Sequence, residues 1–439
     1  MENTNNSSNI FKDLIPLFSV EIVLLTMMNF AGLITIYRLM AMIVMMVCFV
    51  PIIKSLPKNK AIISIIGQTL CLLIFETITI TSGLSSSKDF MVSFSTIIGG
   101  LSFYLIGAYH GISKEKSQLL NIASIAFLGI GIYALICIIA TIYGMGTPFH
   151  TMVFSGTNFA NRAALKYKAR LLFGFTTVLV SNGVYILSNF AFIAATGLIL
   201  AFFIDRKKHP FSFYASLIGG LFGLTTLFLI PMLLPLVAIL IAVGFVAIIR
   251  LPLKKKKAIF ISFSSIAGAV ILFYLIFRIA HRFNAEYYDT HMNPYLREAL
   301  TTKISFINNL KALSSILKTR PKFIGTPFEL YNEFKASGNF FFDTLYQSGI
   351  LAGLGILGLF AFALYEYIMF VRSKVDITEK VAISTLLISY VMTITLNYVG
   401  FILIDDFVFL PIILIIGYMT MKNIESKKVK IVATQESSN

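Results

Sequence analysis

Apolar stretches long enough to cross a lipid bilayer recur along nearly the whole chain, and they constrain its fold more than any other feature. A helix needs about 20 predominantly apolar residues to cross the hydrocarbon core. Of the 439 residues, 57% are hydrophobic and only 13% are charged, whereas about a quarter are charged in soluble proteins. Helices satisfy their own backbone hydrogen bonds in lipid. The sequence therefore predicts an all-α polytopic membrane protein with a single integral membrane domain over 1–439.

Twelve spans can be drawn from these stretches, and the loops between them differ greatly in length. The predicted spans cover residues 14–35, 38–54, 61–80, 91–111, 119–142, 172–204, 211–229, 232–250, 257–279, 348–371, 380–400 and 406–421. Two loops, 143–171 and 281–347, are large, and the others are short. We therefore expect about twelve transmembrane helices and two large loops outside the bundle.

Lysine and arginine are concentrated in the short loops that follow every second span. These residues are Lys54, Lys58 and Lys60, then Lys114 and Lys116, then Arg206, Lys207 and Lys208, then Arg250 and Lys254 to Lys257, then Arg372 and Lys374, then Lys422, Lys427 and Lys428. Short loops rich in Lys and Arg stay in the cytoplasm. This pattern predicts that both termini are cytoplasmic and that both large loops are extracytoplasmic.

Several functional classes are disfavoured by the sequence. The net charge of +16 is explained by the cytoplasmic loops, so we expect no nucleic-acid partner. The cysteines Cys48, Cys71 and Cys137 lie in apolar spans without a CxxC spacing and are interpreted as core residues. Zinc-protease, nucleophile-elbow and phosphate-loop motifs are missing, so we expect neither a metal nor a cofactor. Glu21 and Glu76 lie within apolar runs and are candidate functional groups on that ground alone.

The first large loop is basic although it is predicted to lie outside. It contains Arg162, Lys166, Lys168 and Arg170 and no acidic residue. Long loops translocate regardless of their charge, so this charge either has no role or binds an anion. Arg170 stands at the predicted membrane edge, where a guanidinium either snorkels to the surface or binds the oxygens of a diphosphate in pairs.

The second large loop contains the pattern of an amphipathic helix. Asn293 and Pro294 are suited to the N-cap and the first helical position. Apolar residues then recur at three- and four-residue steps from Leu296 to Leu317, and Pro321 ends the pattern. Such a helix either lids the bundle or contacts the substrate directly.

A motif follows this helix and carries a resemblance to a known family. The segment Gly338 to Gly353, GNFFFDTLYQSGILAG, resembles the string that ends the large periplasmic loop of the O-antigen ligase and polymerase superfamily. In that family a His-Asn pair is followed by apolar residues, an acidic residue, a small residue and Gly-Ile. The run from Arg320 to Gly325 resembles the family's Pro-x-x-Gly turn, although three residues separate Pro321 from Gly325, and Arg170 with Gly174 resembles its arginine entry to the mid-chain helix.

The chain also departs from the family pattern at two places. Gly338 stands where the ligases have the histidine proposed to activate the acceptor, and Thr225-Thr226-Leu-Phe lacks the arginine of the family's Thr-Ser-Arg-Gly string. The missing histidine argues against a ligase and is tolerable in the more divergent polysaccharide polymerases. It leaves the general base unassigned.

The resemblance implies a metal-independent glycosyltransferase that polymerises undecaprenyl-diphosphate-linked oligosaccharide repeat units, as for capsule, exopolysaccharide or O-antigen. It implies a location in the bacterial cell (inner) membrane, with a flippase and a chain-length regulator as partners. A flippase or exporter of lipid-linked oligosaccharide, or a ligase of the same superfamily, is the alternative. A flippase should place Arg and Lys inside its spans, whereas this chain places them outside.

Site residues follow from the resemblance together with the charges of the outer loops. Arg170 and Arg320 are expected to bind the diphosphate, and Asp343 is expected to act as general base beside Asn339. The supporting substrate-binding residues are Arg162, Lys166, Lys168, Lys322 and Asp405. Glu333, His281 and His291 are further candidates for the base.

Overall fold

The computed structural model describes residues 118–145, 183–229, 233–250, 253–292, 349–396 and 406–436, and five helical positions between 104 and 111. Within this part the chain forms helices and no strand. In chain order they are α1 (Gln118–Met145), α2 (Gly183–Ala195), α3 (Gly197–Phe203), α4 (Pro210–Leu229), α5 (Leu233–Arg250), α6 (Leu253–Phe283), α7 (Ala285–His291), α8 (Gly349–Arg372), α9 (Ile377–Leu396) and α10 (Asp406–Glu436).

Three of these helices are long and apolar enough to cross a membrane. They contain the segments Leu119–Ile136, Pro210–Leu229 and Gly353–Arg372, which belong to α1, α4 and α8. Shorter apolar helical segments run over Asn189–Phe203 and Pro235–Ala247. These helices are those of a helical membrane protein, whereas the total of twelve spans and their orientation stay predictions. The spans 14–35, 38–54 and 61–80 and the amphipathic pattern of the second large loop lie outside the described residues.

The helix boundaries differ from the predicted spans in three places. The single predicted span 172–204 is divided at Thr196, whose hydroxyl donates to the carbonyl of Ile193 at 2.6 Å. The predicted second large loop starts at 281, but α6 continues to Phe283 and α7 follows it. The last predicted span stops at 421, but α10 continues to Glu436 through the lysine-rich segment.

The chain divides into two compact units, and α4 is the central helix described in the first of them. This unit comprises 1–32, 117–303 and 381–397, and within it α4 packs against α1, α2 and α3. The contact face of α4 consists of small residues. A Cβ on Gly219 would overlap the carbonyl of Phe127, and a Cβ on Gly223 would lie 2.6 Å from the carbonyl oxygen of Ala191. Such residues let helix backbones approach closely in a membrane.

Polar side chains add hydrogen bonds to the same α1–α4 interface. The hydroxyl of Ser212 donates to Asn121 Oδ1 at 2.6 Å, and the hydroxyl of Ser216 donates to Ser124 Oγ at 3.0 Å. Ser124 in turn donates to the carbonyl of Leu120 at 2.7 Å. All three serine hydroxyls therefore have hydrogen-bond acceptors at positions where the small size of serine also permits close packing.

In contrast, α6 lies at the edge of the described part of this unit. It packs against α5 and, at its end, against α7. Most of its apolar side chains whose exposure the structure describes are exposed, among them Ile266, Leu272, Phe273 and Ile276. In a membrane such a surface faces lipid, which is as apolar as the side chains themselves.

The second unit comprises 33–116, 304–380 and 398–439, and α10 packs there against residues near 104–111 and against α8. A Cβ on Gly111 would lie 2.7 Å from the carbonyl oxygen of Tyr418, and a Cβ on Gly417 would overlap the carbonyl of Tyr104. Glycines on both partners therefore allow this close helix contact, as Gly219 does in the first unit.

Candidate functional site

Most of the residues assigned to the site from the sequence lie outside the described part of the chain. They are Asp343, Arg170, Arg320, Asn339, Arg162, Lys166, Lys168, Lys322 and Asp405, together with the alternative base Glu333. The roles of these residues therefore stay predictions. Two of the candidates, His281 and His291, are described, and both lie at the beginning of the predicted second outer loop.

A turn between α6 and α7 positions these two histidines. Asn284 is the N-cap of α7, and its side chain accepts a hydrogen bond from the backbone N–H of Tyr287 at 3.3 Å. Tyr288 packs back onto α6, with its ring centroid 5.5 Å from Phe277 and 6.3 Å from His281. The ring of His281 also lies 5.9 Å from Phe277. His281 is therefore part of the packing that holds α7 against α6.

The opposite side of α7 presents a stacked pair of rings. Tyr287 and His291 are one helical turn apart, with ring centroids at 4.7 Å and an interplanar angle of 20°. His291 Nδ1 lies 3.0 Å from the carbonyl oxygen of Tyr287 and 2.8 Å from the hydroxyl of Thr290. The Tyr287 carbonyl only accepts, so its contact is a hydrogen bond when Nδ1 carries the proton, whereas the Thr290 hydroxyl can pair with Nδ1 in either tautomer.

Basic residues lie on α6 immediately before this ring pair. Arg278 is partly buried and Arg282 is exposed, and the two are four residues apart on one face of the helix. The exposed apolar surface of α6 precedes them. An apolar surface, two guanidiniums and a pair of exposed rings therefore follow one another along α6 and α7.

The structure also shows buried carboxyl groups that the sequence reasoning missed. Glu366 on α8 is buried, and the Asn423 amide donates to its Oε2 at 2.7 Å and to its backbone carbonyl at 2.9 Å. Glu379 at the start of α9 is also buried and is hydrogen-bonded to the hydroxyl of Tyr418. The position of Glu366 inside the apolar run 348–371 could have identified it from the sequence, because acidic residues in such runs are usually functional or paired. We interpret both contacts as polar links within the second unit.

A buried amide on α2, the described helix that follows Arg170 in sequence, is a further candidate for a functional group. Asn189 on α2 is completely buried, and neither polar atom of its side chain has a hydrogen-bond partner among the described residues. Leaving such a group unsatisfied costs about 1–3 kcal/mol. Elsewhere in the described residues, no three His, Cys, Asp or Glu side chains are grouped as a metal site requires.

Comparison with known proteins assigns no family to the chain. No protein-family model matches it, and no curated protein matches it in sequence.

Proposed function

We propose that this protein polymerises undecaprenyl-diphosphate-linked oligosaccharide repeat units into a surface polysaccharide at the outer face of the bacterial cell (inner) membrane. The observation that carries the proposal is the segment Gly338 to Gly353, with its Asn339 and Asp343, between a large polar loop and an apolar helix. Support comes from α8, which begins at Gly349, within the motif, and is long and apolar enough to continue across a membrane.

The proposed reaction transfers the growing chain from its carrier to the next repeat unit. The bond between the anomeric carbon of the growing chain and its diphosphate breaks, and a hydroxyl of the incoming sugar forms the new glycosidic bond. Asp343 takes the hydroxyl proton, and undecaprenyl diphosphate leaves with the bonding electron pair. Arg170 and Arg320 stabilise the charge that develops on the departing phosphate. Diphosphate is already a good leaving group, so holding two long lipids in the attacking geometry is the main requirement.

The remaining candidate residues have supporting roles in this scheme. Arg162, Lys166, Lys168 and Lys322 attract the anionic carrier, and Asp405 is the alternative acceptor of the proton. The proposed partners are a flippase that delivers the repeat units and a regulator of chain length.

Replacement of the two arginines tests the proposal in cells that make the polysaccharide. In the Arg170→Ala and Arg320→Ala variants we expect long polymer to be lost while single repeat units accumulate on the lipid carrier, as measured by gel electrophoresis and by mass spectrometry of extracted lipids. Lys207→Ala is the matched control, because Lys207 is an exposed cation in the turn after α3. Polymer of normal length in both arginine variants would refute the assignment.

The same experiment separates the two alternatives. If the protein is a ligase, the arginine variants would still form long polymer, but that polymer would stay on undecaprenyl diphosphate instead of its final acceptor. If the protein is a flippase, the arginine variants would retain repeat units on the cytoplasmic leaflet, where an added membrane-impermeant glycosidase cannot reach them in intact spheroplasts. If the protein is a polymerase, the variants would accumulate single repeat units on the outer leaflet.

A further inference from the structure

The stacked rings of α7 are placed as a sugar-binding surface would be placed. Tyr287 is 54% exposed although His291 stacks on it, and His291 is exposed as well. Exposed aromatic rings bind the C–H faces of sugars because the ring face carries a partial negative charge and the C–H groups carry a weak positive one. Two parallel rings offer such a surface at little entropic cost if they are already held in place.

Local contacts hold this ring pair before any ligand binds. The Asn284 cap fixes the first turn of α7, and Tyr288 anchors the helix against Phe277 of α6. The contact between His291 Nδ1 and the Tyr287 carbonyl then sets the orientation of the imidazole. The geometry of the pair is thus determined by interactions within residues 277–291.

The order of chemical groups along α6 and α7 matches that of a lipid-linked saccharide. α6 contains the predicted span 257–279, and its 31 residues make it about 45 Å long, close to the thickness of a bilayer with its headgroups. Its first turns contain Lys254 to Lys257, as expected at a cytoplasmic surface. Its exposed apolar surface is then followed by Arg278 and Arg282 and finally by the ring pair. A lipid-linked oligosaccharide presents a polyprenyl tail, a diphosphate and a sugar in the same order.

We propose that Tyr287 and His291 stack against a sugar ring of the lipid-linked oligosaccharide while Arg282 lies beside its diphosphate. This inference builds on the proposed function by assigning a saccharide-binding surface to residues outside the Asp343 motif. Since no covalent step is assigned to these residues, their contribution is to position the sugar after the lipid has entered from the bilayer. The ordinary alternative is that the aromatic residues only anchor the end of α6 at the membrane surface.

Phe283 distinguishes these two explanations. It is an exposed aromatic residue at the end of α6, with 85% of its side chain accessible, and it lies only four residues before Tyr287. Membrane anchoring would depend on both residues to a similar degree. Sugar stacking would depend on Tyr287 and His291 and not on Phe283.

The chain contains no tryptophan, which permits a direct fluorescence test. The Tyr287→Trp and Phe283→Trp variants each introduce a single reporter into the full-length protein in lipid nanodiscs. The probes are undecaprenyl diphosphate that carries the repeat unit, extracted from cells that make the polysaccharide, and undecaprenyl diphosphate alone. We expect the Tyr287→Trp signal to change saturably with the sugar-bearing lipid and not with the bare lipid. The Phe283→Trp signal should not distinguish the two lipids.

Affinity measurements provide the second arm of the test. Loss of one stacking partner in Tyr287→Ala or His291→Ala should weaken binding of the sugar-bearing lipid by about two- to tenfold. Tyr287→Phe should retain binding because the ring is kept, and Phe283→Ala should bind as the wild type does. Binding of bare undecaprenyl diphosphate should be unchanged in the Tyr287→Ala, His291→Ala and Tyr287→Phe variants, which also shows that they are folded.

Two results would overturn the inference. One is a Tyr287→Trp signal that responds equally to both lipids, and the other is an equal loss of sugar-lipid binding in Tyr287→Ala and Phe283→Ala. Either result would leave the proposed polymerase function intact if Arg170→Ala still abolishes polymer. Conversely, sugar-dependent binding at Tyr287 together with normal polymer in Arg170→Ala and Arg320→Ala would support the ring pair and refute the polymerase mechanism.

Discussion

Two helices of the first unit, α4 and α6, are both apolar but use their side chains in opposite ways. α4 places glycine and serine against α1 and α2, so that its backbone nearly touches theirs. α6 presents large aliphatic and aromatic side chains outward and packs mainly against α5. In a membrane, contact between helices depends on shape and on polar pairs, because lipid solvates apolar side chains as well as protein does. The size of the residues on a helix face is therefore more informative than their hydropathy.

Gly219 and Gly268 provide the largest expected difference between the two helices. In Gly219→Leu the new side chain would overlap the backbone of α1, and we expect the free energy of unfolding to fall by about 3 kcal/mol or more. In Gly268→Leu on α6 no atom of the described residues lies within 4 Å of the added Cβ, so the better helix propensity of Leu should leave stability unchanged or slightly higher. Thermal unfolding of both purified variants in one detergent, followed by circular dichroism, measures the contrast.

Equal stability of the two glycine variants would contradict the assignment of α4 as the closely packed helix. Comparison of Gly219→Ala with Gly219→Leu adds a graded control. The smaller Cβ alone already meets the Phe127 carbonyl, so even Gly219→Ala should be less stable than the wild type.

An intermediate effect of opposite sign is expected at Asn189 in the helix beside α4. Because its amide is fully buried and has no partner among the described residues, Asn189→Leu should raise the free energy of unfolding by about 1–3 kcal/mol. Asn121→Leu is the matched control, since the Asn121 amide oxygen accepts a hydrogen bond from Ser212 and its loss should lower stability. The same thermal unfolding assay measures both. A lower stability for Asn189→Leu would show that the amide has a partner in the folded protein.

The sequence was a good guide to helices and a poor guide to their contacts. The apolar runs predicted α1, α4, α5 and α8 to within a few residues, because the length of an apolar run in lipid is set by the bilayer itself. The pairing of Glu366 with Asn423 could not be predicted, because it joins residues 57 positions apart and depends on how two helices cross. The stacking of Tyr287 on His291 depends on a four-residue spacing that was visible, but only the Asn284 cap shows that a helix begins there.

The candidate site is less predictable from the sequence than the helices are. Its assignment rests on degenerate motifs in the two large loops that are predicted to lie outside, and the roles of Arg170, Arg320 and Asp343 stay predictions. Loops have no periodic pattern that fixes their path, so spacing alone cannot tell which of these charges converge. In the predicted second loop, the structure describes the arrangement of the ring pair of α7, Tyr287 and His291.

The smallest expected effect concerns Leu272, on the exposed face of α6. Leu272 is 59% exposed in an apolar region. In a membrane both the leucine and the alanine of Leu272→Ala would contact lipid, so the substitution removes few contacts with protein. We expect the free energy of unfolding to change by less than about 0.5 kcal/mol. Phe277 on the same helix is only 7% exposed and contacts Tyr288, so Phe277→Ala should cost about 3 kcal/mol or more and release α7 from α6. Proteolysis after α6 would report this release. If Leu272→Ala were as damaging as Phe277→Ala, α6 would have to pack against protein on both faces, and the contrast with α4 would fail.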